Sequence, residues 1–144
     1  MRRPIAEGYE LDDDPGRVDV DALVAFLTTE AYWGRWRARA DIERQLAASW
    51  RVVAVYHGDA MVGFARAVSD GVAFGYLADV YVDPAHRGRH LGRAVVREIV
   101  EGEGASSFRW MLHTKDAHGL YAELGFAAPG PDAMERPAPP VRLT

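Results

Sequence analysis

Three runs rich in valine, tyrosine and phenylalanine, residues 50–57, 60–69 and 72–82, are separated only by Gly58-Asp59 and Asp70-Gly71. Gaps this short admit tight turns and little else, so the middle of the chain reads as three antiparallel strands. Asp83-Pro84 closes the third run. Residues 92–100 then carry Ala94, Val95, Ile99 and Val100 at helical spacing, so the pattern changes from strand–turn–strand to strand–loop–helix.

Upstream, Asp12, Asp13, Asp14, Pro15 and Gly16 read as a turn or loop, and Asp19 or Asp21 stands where a helix N-cap belongs. Val20, Leu23, Val24 and Leu27 recur at three- and four-residue steps and give a helix over 20–29 one apolar stripe. A second short helix is expected over 40–49. Between the two lies a connection bearing Tyr32, Trp33 and Trp36 with Arg35, Arg37 and Arg39, in which Gly34 marks the break and the alternating arginines read as a solvated face. Downstream, 108–114 reads as a strand and 117–124 as a short helix stopped by Gly125. The proline-rich end allows only a brief edge strand around 134–136. The summed order describes one domain over residues 1–144, of α/β (α+β) class: a mixed, mostly antiparallel central sheet flanked by about four helices, in three layers.

With 144 residues, 49% of them hydrophobic and 26% charged, the composition is that of an ordinary globular domain rather than a disordered or fibrous chain. The absence of cysteine removes disulfide scaffolds, thiolate zinc sites and cysteine nucleophiles together. A net charge of −4 argues against wrapping phosphate backbone by bulk electrostatics, so no nucleic-acid partner is expected. The basic opening residues lack an apolar core of signal-peptide length, and nothing approaches the roughly 20 apolar residues of a membrane span. The expectation is a cytoplasmic protein with no membrane partner.

The chemistry is concentrated where the third strand runs through Asp83-Pro84 into a loop with Arg87, Gly88 and Gly92 and on into a helix. The unpaired N–H groups and positive dipole end of such a helix hold phosphate, and Arg87, Arg89 and Arg93 add charge nearby. The two common nucleotide fingerprints are absent, as is a Gly-x-Ser-x-Gly nucleophile elbow. His86 and His90 are four apart but lie in a loop without an accompanying glutamate, so no metal site is expected. His57 reads as a turn residue and His118 as an exposed helical position.

Arg87-Gly88-Arg89-His90-Leu91-Gly92 resembles the Arg/Gln-x-x-Gly-x-Gly/Ala signature of the GCN5-related N-acetyltransferase (GNAT) family, which follows a strand ending in valine-x-proline, here Val82-Asp83-Pro84. Leu120-Tyr121-Ala122-Glu123-Leu124-Gly125-Phe126 resembles the family's second signature, leucine-tyrosine-x-x-x-glycine-phenylalanine. The order of elements from Val20 to about Phe126 is similar as well. His90 departs from the family pattern, placing a ring where a glycine usually lets the backbone pass close to phosphate.

The resemblance implies an acetyl-CoA-dependent N-acetyltransferase in which backbone groups of Val80, Tyr81 and Val82 pair with the pantetheine arm like an added strand. Backbone N–H groups of the loop, with Arg87, Gly88, Arg89, His90, Leu91, Gly92 and Arg93 around it, would hold the pyrophosphate. Tyr121 matches the position whose phenol protonates the departing thiolate; an ordinary thiol near about 8.5 and a phenol near about 10 make that transfer feasible. A backbone N–H near Val80 would meet the oxyanion. Asp79, inside the motif strand, is the candidate general base, with a water relayed from Tyr76 or His113 as the next choice. Strict alternation would group Asp79 with Leu77 and Tyr81, but the family's strand is commonly bulged, which shifts later side chains. Tyr32, Trp33 and Arg35 are candidates for contact with the acceptor, since this connection lines the acceptor site in the family.

The expected reaction is direct attack of a primary amine, on a small molecule or a peptide, on the thioester in a ternary complex. The rival reading is a non-catalytic acyl-CoA-binding sensor or interaction module with the same fold. Dimers are common among proteins of this kind, so a homodimer belongs among the expected partners.

Overall fold

A computed structural model describes residues 1–31, 36–102 and 104–139. Six strands form one sheet in sequential order: β1 (Arg2–Ala6), β2 (Tyr9–Asp12), β3 (Arg51–His57), β4 (Ala60–Ser69), β5 (Phe74–Val82) and β6 (Arg109–Met111). Every neighbouring pair is antiparallel except β5 and β6, which are parallel. The parallel pair requires a crossover, which α3 (Leu91–Val100) supplies. The remaining α-helices are α1 (Val20–Thr29), α2 (Arg39–Ala48) and α4 (His118–Ala122).

The continuous apolar character of β3 follows from burial on both faces. Val53 and Val55 join Leu11, Ala65 and Leu77 under α3, whereas Val52, Ala54 and Tyr56 join Phe64 under Leu23, Leu27 and Ile42 of α1 and α2. Helix α1 starts where Asp19 accepts a hydrogen bond from the Ala22 N–H at 3.0 Å. Helix α3 buries Leu91, Val95, Val96, Ile99 and Val100, so Val96 takes the core position that the spacing alone gave to Ala94.

Several boundaries differ from the sequence reading, most by a residue or two. The N-terminal segment forms a hairpin of two strands that takes in Asp12, which the sequence reading put in a turn or loop, and it turns at Gly8, whose φ of +80° suits glycine. The third meander strand begins at Phe74 rather than Val72, because the Asp70 carboxylate accepts from the N–H groups of Val72, Ala73 and Phe74 and holds them in the turn. Strand β6 ends at Met111 rather than 114, since β5 has no residue paired with it beyond Tyr76. No strand forms at 134–136 among the described residues; Met134 is 98% exposed and flanking prolines cannot supply ladder N–H groups.

Candidate active site

The registers of β4 and β5 jump from Arg66↔Ala78 to Phe64↔Tyr81, so three steps on β5 oppose two on β4. The extra residue is a β-bulge at Asp79, whose φ of +54° is unusual for a residue with a Cβ. The bulge reverses the alternation: Leu77 packs in the core beneath α3, whereas Tyr81 packs in the core beneath α1, its ring stacked on Phe26 at 3.9 Å between centroids. The grouping of Leu77 with Tyr81 by simple parity therefore fails here.

Asp79 is buried on the α1–α2 face. Arg37 donates to both of its oxygens at 2.8 Å through Nη1 and Nη2, and Arg66 Nε donates at 2.8 Å. Burial alone would push this carboxyl up; the hydrogen bonds and charges of Arg37 and Arg66 overcome it and hold the group below the ordinary carboxylate range. A carboxylate so held is a weak proton acceptor, and its geometry is that of a structural ion pair rather than of a general base. Arg37, which the alternating arginines placed on a solvated face, is 6% exposed and also donates to Gln45 Oε1 at 2.7 Å. Arg39 does lie on the surface, paired with Asp21 and Glu43. The sequence carries no sign of the Arg37–Asp79 pairing because its members are 42 residues apart.

On the other side of the bulge β5 and β6 part. Their ladder consists of Phe74↔Arg109, Gly75↔Trp110 and Tyr76↔Met111, which leaves Val80, Tyr81 and Val82 beside an opening rather than a strand. A cleft of about 760 Å³ runs from these three residues past the loop after β5 to Leu120 and Tyr121 of α4.

The loop is shaped by its caps. Asp83 accepts from the Ala85 N–H at 2.9 Å, closing the single turn Pro84–His86, and Arg87 Nε donates to the Val82 carbonyl at 3.1 Å. Gly88 (φ +83°) and His90 (φ +60°) are both left-handed, so the exposed His90, at the rim of the cleft, adopts the conformation that a glycine takes easily. A Cβ on Gly88 would meet nothing within 4 Å, which leaves that side of the loop open. The N–H groups of Leu91, Gly92 and Arg93 open α3 without intrahelical acceptors. Arg93 pairs with Glu123, and its buried Nε has no partner among the described residues. Left-handed backbone, helix N-terminus and a spare buried donor together fit a pyrophosphate.

Tyr121 lines the cleft and is buried in the core beneath α3, its ring 5.9 Å edge-on from Phe126. The structure therefore brings Tyr121 to the same cleft as Val80, Tyr81, Val82 and the loop. Tyr32, Trp33 and Arg35 lie outside the described residues. Tyr76 and His113 meet directly: Tyr76 Oη is 2.5 Å from His113 Nδ1, and His113 Nε2 is 3.0 Å from Glu135 Oε2. Glu135 was missed because it sits in the proline-rich end, where nothing local signals a partner.

A sequence model of the acetyltransferase (GNAT) family matches residues 9–126. The fold agrees with a solved GNAT-family protein from Xanthomonas campestris pv. campestris, 30% identical, over 99% of each chain with a TM-score of 0.87. A GCN5-related N-acetyltransferase from Ralstonia eutropha JMP134, 22% identical, shares the fold over 91% of this chain and 99% of its own with a TM-score of 0.66. Serotonin N-acetyltransferase 2, chloroplastic, of Oryza sativa subsp. japonica is 41% identical over 76 residues, which are 51% of this chain and 37% of the rice protein. With the bulged strand, the opening beside it and the glycine-bearing loop into α3 in place, the chain belongs to the GNAT family of acetyltransferases. No helix among the described residues is long and apolar enough to cross a membrane.

Proposed function

We propose that the protein transfers the acetyl group of acetyl-CoA to a primary amine by direct attack. The observation that carries this reading is the shared cleft, along which the N-terminus of α3, the edge of β5 at Val80, Tyr81 and Val82, and Tyr121 all lie. Residues 87–93 would hold the pyrophosphate, and Val80, Tyr81 and Val82 would bond the pantetheine amides as a strand would.

Attack of the amine nitrogen on the thioester carbon forms the C–N bond, and a backbone N–H at the bulge near Val80 would steady the carbonyl oxygen as its charge grows. The C–S bond then breaks and its electron pair goes to sulfur. Tyr121 gives the sulfur its phenolic proton and takes one from the new amide nitrogen, so the protein ends unchanged. Cysteine is absent from the sequence, which removes an acyl-cysteine route.

The acceptor is tested by thiol release from acetyl-CoA with a panel of serotonin, glucosamine 6-phosphate, a short diamine and a peptide with a free N-terminus. The first two are chosen because rice relatives are named for them. Amine-dependent thiol release supports the reading. Tight acetyl-CoA binding without turnover on any amine would replace the enzyme with an acyl-CoA sensor.

A further inference from the structure

Two faces of the sheet meet at the β5–β6 opening, and each presents a different proton-bearing group. Trp110 and Leu112 pack against the core beneath α3, as do Leu77 and Tyr121. Alternation therefore turns Tyr76, Met111 and His113 to the opposite face, the one on which Arg66 and Arg37 hold Asp79. Tyr76 and Met111 are the last paired residues of the two strands, so the Tyr76–His113 hydrogen bond spans the gap where they begin to part. Tyr121 approaches the opening from one face and Tyr76 from the other, an arrangement that suits a reaction with an entering amine and a leaving thiolate.

With a neutral His113 ring, the two hydrogen bonds have one direction. An ionised Glu135 can only accept, so His113 Nε2 carries a hydrogen and Nδ1 of the neutral ring accepts from the Tyr76 hydroxyl. His113 and Glu135 have side chains 58% and 62% exposed, which gives a proton reaching the ring an exit to water. The charged groups bearing on Tyr76 are Glu135 from the C-terminal segment, Arg66 from β4 and Asp79 from β5. Asp79 is committed to its two arginines, which leaves the His113 ring as the acceptor in direct contact with Tyr76.

We propose that Tyr76, His113 and Glu135 form the path by which the acceptor amine loses its proton, with Tyr76 as the group facing the amine and Glu135 as a positioning residue. The inference rests on the acetyltransferase reading above. An N–H proton of the ammonium passes to Tyr76 Oη, directly or through one water, while the phenolic proton passes to His113 Nδ1. The resulting imidazolium is paired with Glu135 and releases a proton to solvent, so the free amine enters the attack and one proton leaves per turnover.

The test compares the full-length protein with Tyr76→Phe, His113→Ala and Glu135→Gln, using acetyl-CoA and the panel amine that turns over fastest, from about pH 6 to about pH 10. Loss of a positioned base lowers kcat roughly 10²-fold near neutral pH in His113→Ala, with the KM for acetyl-CoA unchanged. The deficit shrinks as the pH nears the amine's own ionisation, and added imidazole restores part of the rate. Glu135→Gln loses a few-fold. Side-chain ¹⁵N resonances, which need no turnover, report the neutral ring as the Nε2–H tautomer. Unchanged kcat in both Tyr76→Phe and His113→Ala, a loss equal at every pH without imidazole rescue, or an Nδ1–H tautomer overturns the relay alone. No thiol release by the wild type with any amine overturns the acetyltransferase reading and the relay with it.

Discussion

Arg37 grips Asp79 through two parallel hydrogen bonds of 2.8 Å, joining the segment after α1 to the bulge of β5 across 42 residues of sequence. Both side chains are almost fully buried, and Arg66 donates to the same carboxylate. Taking the negative charge from such a group leaves two buried or half-buried arginine charges without the carboxylate they share. Asp79→Asn is expected to destabilise the fold by about 3–5 kcal/mol. In thermal unfolding this reads as a Tm lower by about 10 °C or more.

The same pair makes stability depend on acid. The Asp79 carboxyl is below its ordinary value in the folded state, so the unfolded chain binds its proton first as the pH falls. Its stabilising contribution is present above the unfolded value of about 3.9 and is lost as the pH drops through the depressed folded value. Urea midpoints measured downward from about pH 6 should fall over that range in the wild type, and Asp79→Asn should have a flatter acid limb.

Tyr121→Phe keeps the ring that packs beside Phe126 and removes only the phenolic hydroxyl. The expected result is a kcat lower by roughly 10²-fold while acetyl-CoA still raises the Tm. Equal turnover in the two proteins would contradict the proposed role of Tyr121 as proton donor.

His90 holds a left-handed backbone at the start of α3. His90→Gly relieves that strain and loses chain entropy, so its Tm should stay close to the wild type with acetyl-CoA binding kept. His90→Val places a β-branched side chain in the same conformation and should lose about 1–2 kcal/mol.

Gly75 faces Trp110 so closely that an added Cβ would lie 2.4 Å from the indole. Gly75→Ala must displace a ring whose Nε1–H bonds the Ala105 carbonyl, and should cost about 1–3 kcal/mol. Gly119→Ala, in α4 with open space at that position, is the control and should stabilise by about 0.5–1 kcal/mol.

The turns at Gly58-Asp59 and Asp70-Gly71 made the central meander legible, and the stripe of Leu23 and Leu27 did the same for α1, because each signal is local. The bulge at Asp79 left no mark in the local pattern and was expected only from the family resemblance, since it shows in the register of two strands. The loop into α3 was readable from Gly88 and Gly92, whereas the left-handed backbone of His90 within it was not. Glu135 joins His113 only through the path of a proline-rich segment, which periodicity does not describe.

The central claim is that the loop before α3 holds the diphosphate of CoA, and thermal unfolding with acetyl-CoA, CoA and ATP at matched concentrations tests it most directly. The starting material must be free of co-purified CoA. A ligand at about 100 times its Kd contributes roughly 2.7 kcal/mol, so acetyl-CoA and CoA should raise the Tm by about 5 °C or more while ATP does not. No shift with acetyl-CoA at about millimolar concentration, or an equal shift with ATP, would contradict the account.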